Sequence, residues 1–417
     1  MGEILFVYRP YGLKPRKTIT DSIFCFRHSE KEGNHVYFYD YTHNRSVWKK
    51  LSKHKFDAVI YHYTFMTLRS KPDIWQEAQN RLKKIKTGVS AAIIQDEYIY
   101  SKYTQNFLKN MDVKKVFTLA RGENIRIMYP DAEADFYTVL PGYADTEALE
   151  MIAELEKELC REKDSIDIGY RARKLSYSLG RQGLLKTQIA DVFNSEISKH
   201  SDLEADISTT GDTRNVFLGL DWYRFLIKCR TMLGCTGGAS LLDPDGALFE
   251  RITSYLKEHP DSNYRDVEEK FLQDDGNIDY SALSPRFFEC AMTKTCQILA
   301  EGDYGDVMKP GVHFIEIKRD FSNINDVIEQ IKNRELCERI AQNAYNDLIE
   351  SGKYTYDAFV ELVISKLNLS VKNTGRNTRV DRYLSFNDLS IYASMKVKEC
   401  LRNIYGVFRN QFPTTKR

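Results

Sequence analysis

Short apolar runs alternate along the chain with longer stretches in which apolar residues return every three to four positions. In residues 1–145 the runs at 4–8, 36–39, 58–62, 91–94, 116–119 and 136–139 are nearly continuous in Val, Ile, Leu, Ala and aromatic residues. That pattern marks strands of a parallel sheet buried on both faces. Residues 18–30 and 75–86 between them have helical spacing, so this part of the chain is predicted to be an open parallel α/β sheet. The alternation restarts with a strand at 166–170, a helix at 184–197, a strand at 205–208 and a helix at 222–230. A polar helical insertion follows at 247–278, then a strand at 312–317 and helices at 324–331 and 335–351.

The turn PGYAD and the acidic amphipathic run 146–162 separate the two series. The expected organisation is therefore α/β: a Rossmann-like domain at 1–145, a connection at 146–163, a second Rossmann-like domain at 164–368 and a C-terminal helical segment at 378–417. Residues 370–377, SVKNTGRN, read as a flexible linker. Residues 389–412 are amphipathic, with Lys396, Lys398, Arg402 and Arg409, a pattern that suits a helix lying on a membrane as well as one crossing back to the first domain, the second being expected.

A length of 417 residues suits two cores, and 42% hydrophobic with 29% charged residues is the balance of a soluble globular chain. No apolar run is long enough to span a bilayer, and Met1-Gly2-Glu3 leads straight into the first strand, so a cytoplasmic protein is expected. None of the eight cysteines has the close pairing of a zinc or redox site, which predicts buried thiols. The net charge of +1 conceals an asymmetry: residues 1–145 carry 23 Lys and Arg against 16 Asp and Glu, a charge of +7, and the remainder carries -6. A basic first domain suits an anionic partner such as a lipid-linked pyrophosphate or the inner face of a membrane, and scattered solvating lysines give the same count.

No G-x-G-x-x-G follows the first strand and no P-loop occurs, which argues against a dehydrogenase or an ATPase. Open α/β sheets bind ligands at the carboxyl ends of their strands, which singles out residues 9–17, 62–64 and 95–98. Asp96 and Glu97 there can orient or deprotonate an acceptor hydroxyl, and His62 can act as a base or bind a sugar. A helix N-cap or a buried histidine has the same sequence pattern. After the strand at 166–170 come Arg171, Arg173, Lys174 and Arg181, with Lys186 in the next helix, a set of cations suited to a diphosphate. Gly237, Gly238 and Ser240 offer bare backbone N–H groups to an anion. Asp243 and Asp245 in LDPDG read as a turn, and no metal site is expected.

Residues 284–304, SPRFFECAMTKTCQILAEGDY, read as a helix running into a strand, with Pro285 at the helix start and Arg286 and Glu289 in its first turns. An early helical carboxylate can accept hydrogen bonds from a ribose diol, and Tyr304 lies just beyond the strand, where a ligand would be faced.

The run PRFFE followed by that short strand resembles the donor-site helix of GT-B glycosyltransferases, the group 1 family and its spore-maturation-type relatives. The resemblance extends from residue 166 to about residue 331 and implies two Rossmann-like domains facing each other across a cleft. It implies a glycosyltransferase, acting as a hexosyltransferase without a metal in bacterial-type polysaccharide or glycoconjugate synthesis. The donor would be a UDP- or GDP-sugar, with no further cofactor, and the acceptor a glycan or lipid-linked molecule rather than a nucleic acid. Glu289 would hold the ribose, and Arg171 or Arg173 with Lys186 would neutralise the diphosphate. Many members carry a further glutamate eight residues before this one, where this chain has Ser281. The group 1 pattern implies retention with no dedicated base, whereas inversion would enlist Asp96, Glu97 or His62. A sugar-nucleotide epimerase, or a relative that binds without catalysis, would share the nucleotide site.

Overall fold

The computed structural model describes residues 2–10, 17–42, 46–160, 162, 164–210, 216–369, 378–381, 383 and 384. The expected linker at 370–377, the amphipathic segment at 389–412 and most of the ligand loop at 9–17 lie outside them.

The first domain holds β1 (Glu3–Tyr8), β2 (His35–Asp40), β3 (Lys55–Tyr61), β4 (Lys86–Ile93), β5 (Lys115–Thr118) and β6 (Asp135–Thr138), all parallel in the order β2-β1-β3-β4-β5-β6. Every residue of β1 is buried, as its central place in a sheet covered on both faces requires. Helix Pro72–Leu82 is fixed on one side by Trp75, whose ring stacks on Phe107 at 4.8 Å. The helical pattern at 18–30 is realised as helix Lys17–Phe24 and a 3₁₀ turn Cys25–Glu32, ended by Gly33 with φ 85°.

The second domain holds β7 (Ile166–Arg171), β8 (Ala205–Ser208), β9 (Cys229–Gly234), β10 (Gly237–Ala239), β11 (Tyr280–Ala282), β12 (Cys296–Ala300) and β13 (Ile315–Ile317). Five of these form a parallel sheet in the order β13-β12-β9-β7-β8, and β10 pairs antiparallel with β11. The central strand β9 begins where the sequence pattern extended a helix, which ends instead at Lys228. Arg230, inside this strand, pairs with Asp167 on β7. The polar insertion forms helices Ala247–Glu258 and Tyr264–Phe271 around a small core of Leu241, Ile252, Val267 and Leu272.

Helix Tyr356–Leu367 belongs to the first domain's core. Phe359 stacks on Tyr143 at 4.6 Å and meets Phe26 edge-on at 5.8 Å, and Val360, Val363 and Leu367 are buried beside them. The chain thus crosses back before residue 368, ahead of the C-terminal segment expected to do so.

Loops at the carboxyl ends of β4 and β5 meet the second domain. Tyr100 donates its N–H to the Asp243 carbonyl at 2.9 Å, Asp243 donates to the Tyr98 carbonyl at 2.8 Å, and Asn124 Nδ2 donates to the Asp279 carbonyl at 2.7 Å. No helix among the described residues is long and apolar enough to cross a membrane.

Candidate active site

The carboxyl ends of β9, β12 and β13 and the helix Gly180–Ile197 bring a set of polar side chains together. Arg319, just after β13, donates Nε to the Glu301 carbonyl at 2.9 Å and Nη2 to Gln182 Oε1 at 3.0 Å. Gln182 in turn donates Nε2 to the Thr236 carbonyl at 3.0 Å and to its hydroxyl at 2.9 Å. Lys186 lies one turn further along the same helix, held where the Tyr170 hydroxyl donates to its carbonyl at 3.1 Å. Its Nζ comes within 4.0 Å of the point a Cβ on Gly237 would occupy. Burial pushes the Cys235 thiol up, and the fields of Lys186, Arg286 and Arg319 all pull it down. Lys186 and Arg319 thus stand on two elements, the helix Gly180–Ile197 and the loop after β13, that Gln182 joins.

Helix Arg286–Met292 supplies the remaining wall. The Arg286 guanidinium lies 5.2 Å from the Trp222 ring centroid and 5.8 Å from that of Tyr170. Trp222 donates its indole N–H to Glu289 Oε2 at 2.7 Å, so the carboxylate is oriented by a charge-assisted hydrogen bond. Arg286, Glu289 and Lys186, all singled out from sequence, stand in one region with Arg319, Gln182, Thr236 and Trp222, which were not.

Other candidates are placed elsewhere. Arg171 turns to the sheet edge: it donates Nη2 to Asp206 Oδ2 at 2.7 Å and Nη1 to the Asp206 carbonyl at 2.8 Å. Its guanidinium sits 4.8 and 4.4 Å from the Phe217 and Phe225 ring centroids. Arg173 is exposed on the loop after β7. Ser240 caps a helix, accepting from Gln182 N–H at 3.2 Å and donating to Asp275 Oδ1 at 2.6 Å. Asp275 Oδ2 accepts from Arg181 N–H at 2.9 Å, so this carboxylate covers the start of the helix that carries Lys186. Gly238, at φ 111° and packed on the Tyr280 carbonyl, is required by the strand pairing. Tyr304 is buried against Phe287 and Phe314 and donates to the Ala300 carbonyl at 2.6 Å, so it does not face the cleft.

In the first domain only Asp96 of the three acid-base candidates is exposed. His62 is buried, accepts from Thr64 N–H at 3.4 Å, and is pushed down to about 3 by burial, so it is neutral and capped inside the fold. Glu97 is fully buried, with Thr118 Oγ1, Leu119 N–H (3.2 Å), Tyr129 OH (3.1 Å) and Tyr280 OH (2.9 Å) donating to it. These two are corrections to the sequence reading: strand-end position does not tell which face a side chain takes.

Beside Glu97 an interdomain cavity of about 190 Å³ is lined by Arg121 and Asn124 from the first domain and Asp279, Ser281 and Asp303 from the second. Arg121 Nη1 pairs with Asp303 Oδ2 across it at 3.1 Å. Ser281, at the position of the absent glutamate, donates to Asp279 Oδ1 at 3.3 Å. No group of three or more His, Cys, Asp or Glu side chains able to hold a metal occurs among the described residues.

No family model matches the sequence, and no curated protein does. Solved structures do. An alpha-glucosyltransferase in complex with UDP-glucose and DNA containing an abasic site has a TM-score of 0.50 at 12% identity, over 88% of this chain and 99% of that one. Anabaena HepE in complex with UDP-glucose has 0.45 at 10%, over 88% of this chain and 100% of that one. TarM has 0.44 at 12% over 84% of this chain, which spans 58% of TarM's length. The first of these likenesses shows the fold.

Proposed function

We propose that this chain, which has the GT-B fold, moves a sugar, a hexose in our reading, from a nucleotide-sugar donor to a glycan or lipid-linked acceptor in bacterial-type polysaccharide or glycoconjugate synthesis. The observation that carries the proposal is that Tyr170, whose hydroxyl bonds the Lys186 carbonyl and whose ring lies 5.8 Å from the Arg286 guanidinium, joins these two cations beside the Trp222-oriented carboxylate of Glu289. Breaking the anomeric bond builds positive charge on the sugar and negative charge on the departing diphosphate. Fixed cations beside the diphosphate stabilise that state more than the bound donor, which is what catalysis requires. Lys186 and Arg286 receive the diphosphate in this reading, with exposed Arg173 joining them from the loop after β7, and Glu289 holds the ribose. These cations replace a metal. A UDP-sugar is favoured over a GDP-sugar because the alpha-glucosyltransferase of like fold holds UDP-glucose.

If the transfer inverts, Asp96 is the base, since Glu97 and His62 are inside the fold. Ser281 in place of a glutamate favours a second reading, a relative that binds nucleotide without turnover.

The test is a thermal-shift panel of nucleoside diphosphates and sugar nucleotides, because a ligand that binds only the native state raises stability by about 2.7 kcal/mol at a hundredfold excess over Kd. A shift with UDP and UDP-sugars is expected. No shift with any member would overturn the proposal. A shift with no transfer to any acceptor would favour the binding-only relative, and a changed sugar without acceptor would indicate an epimerase. In Glu289→Gln the donor Kd should rise roughly tenfold to a hundredfold, the loss of a charged acceptor being worth about 1.5–3 kcal/mol. An unchanged Kd measured by calorimetry would remove the ribose role.

A further inference from the structure

We propose that a lysine-rich face of the first domain, at the amino ends of β3 and β4, docks the protein on an anionic membrane surface through acidic phospholipid headgroups. Lys49, Lys50, Lys53 and Lys55 come from the helix Trp48–Leu51 and the chain entering β3, and Lys83, Lys84 and Lys86 from the chain entering β4. All seven are exposed. The fold brings the two groups together: Lys55 and Lys86 are direct partners in the parallel ladder, and Lys84 and Lys49 place Nζ 4.8 and 6.0 Å from the centroid of the Trp48 ring.

Neither 46–56 nor 81–90 contains an acidic residue. Glu3, Asp57 and Glu77 on adjoining elements are already engaged. Glu3 is buried and accepts from Tyr37 OH and faces His54 Nε2, both at 2.9 Å; Asp57 accepts from Glu3 N–H at 2.9 Å; and Glu77 pairs with Arg81. Among the described residues none of the seven lysines is ion-paired to a carboxylate. Like charges gathered within a Debye length, about 8 Å in physiological salt, repel one another, and a polyanionic surface removes that repulsion.

Three further observations favour a bilayer over a nucleic acid. The unpaired cations are all lysines, compact and strongly hydrated charges suited to a diffuse anionic surface, without the guanidinium fork that reads bases. At their centre stands a half-buried indole, the side chain that settles at the headgroup level of a bilayer. The face is also at the opposite end of the sheet from the cleft, about 26 Å away along the eight residues of β4. A docked protein therefore keeps its cleft open. Lys50 also lies 4.8 Å from the centroid of the Tyr383 ring. None of this depends on the transfer reading, and binding is measured without activity.

The full chain is floated with phosphatidylcholine vesicles and with vesicles in which phosphatidylglycerol replaces part of the lipid, at low and at high salt. Binding to the second kind only, weakened by salt, is expected. At about fivefold per lysine, Lys53→Gln, Lys83→Gln and Lys86→Gln together should lower partitioning roughly a hundredfold with an unchanged thermal midpoint. Equal substitutions at exposed Lys257, Lys309 and Lys353 should leave it near wild type. Brominated lipid should quench tryptophan fluorescence in the wild type but not in Trp48→Phe. The proposal is overturned if the two vesicle types bind alike, if the first triple variant binds like wild type, or if the control triple loses as much. A DNA duplex that binds where vesicles do not, and is lost in the first triple variant, would instead give the face to nucleic acid.

Discussion

Alanine at Lys186 or at Arg286 is expected to lower kcat about a hundredfold to a thousandfold, the usual loss when one preorganised electrostatic donor is removed from a leaving group. Because the charge on the diphosphate grows as the anomeric bond breaks, kcat should fall as KM rises; a group that only held the ground-state donor would change KM alone. Arg173→Ala should behave in the same way. Arg171→Ala should not: its guanidinium is bonded to Asp206 and packed between Phe217 and Phe225, so its loss should destabilise the fold by about 1–3 kcal/mol and spare kcat in the folded protein. Steady-state transfer assays with and without EDTA test both halves. Wild-type kcat in Lys186→Ala and Arg286→Ala would remove the leaving-group assignment, and activity abolished by EDTA would show that a metal shares the role.

Glu97→Ala should cost about 3–5 kcal/mol in a denaturant titration. It strips the acceptor from Thr118, Leu119, Tyr129 and Tyr280 at a fully buried position, and each buried donor left unsatisfied costs about 1–3 kcal/mol. Tyr280→Phe, which removes one donor, should cost about 1–2 kcal/mol. Burial is the larger influence on Glu97 and holds its pKa above the ordinary glutamate value, against the opposing pull of its four hydrogen bonds. The folded protein therefore binds this proton more tightly than the unfolded chain does. The contribution is fully present below the unfolded pKa of about 4.3 and is lost as pH rises through the higher folded value. The stability difference between wild type and Glu97→Gln should accordingly shift toward the wild type as pH falls from neutral. A flat difference, or wild-type stability in Glu97→Ala, would contradict this account.

Much of the first sheet was legible because parallel strands buried on both faces must be apolar throughout, as in ILFVY of β1. The strand β9 was not, although it is the centre of the second sheet. Its sequence CRTMLG has no β-branched apolar residue, and Arg230 belongs there only because Asp167 on β7 neutralises it. Arg286, Glu289 and Lys186 could be chosen from local sequence because each lies in a helix that follows a strand or a basic loop. Arg319 and Gln182 could not, being joined only by the sheet order that sets β13 and the helix Gly180–Ile197 around one strand end. That Arg171 turns to Asp206 was equally hidden, being a property of β8 pairing with β7.

Helix Tyr356–Leu367 has a consequence for biosynthesis. Phe359 packs against Phe26, so a contact of the first domain's core joins residues about 330 positions apart, with the whole second domain between them. At roughly 5–20 residues per second, about 17–67 s separate the emergence of these two rings from the ribosome. During that interval the first sheet exposes the apolar surface that Phe359, Val360 and Val363 will later cover. The second domain, whose strands run from Ile166 to Ile317, leaves the ribosome in full before the first can close. Completion of the first domain thus follows synthesis of the second, although the sequence of the first is translated before it.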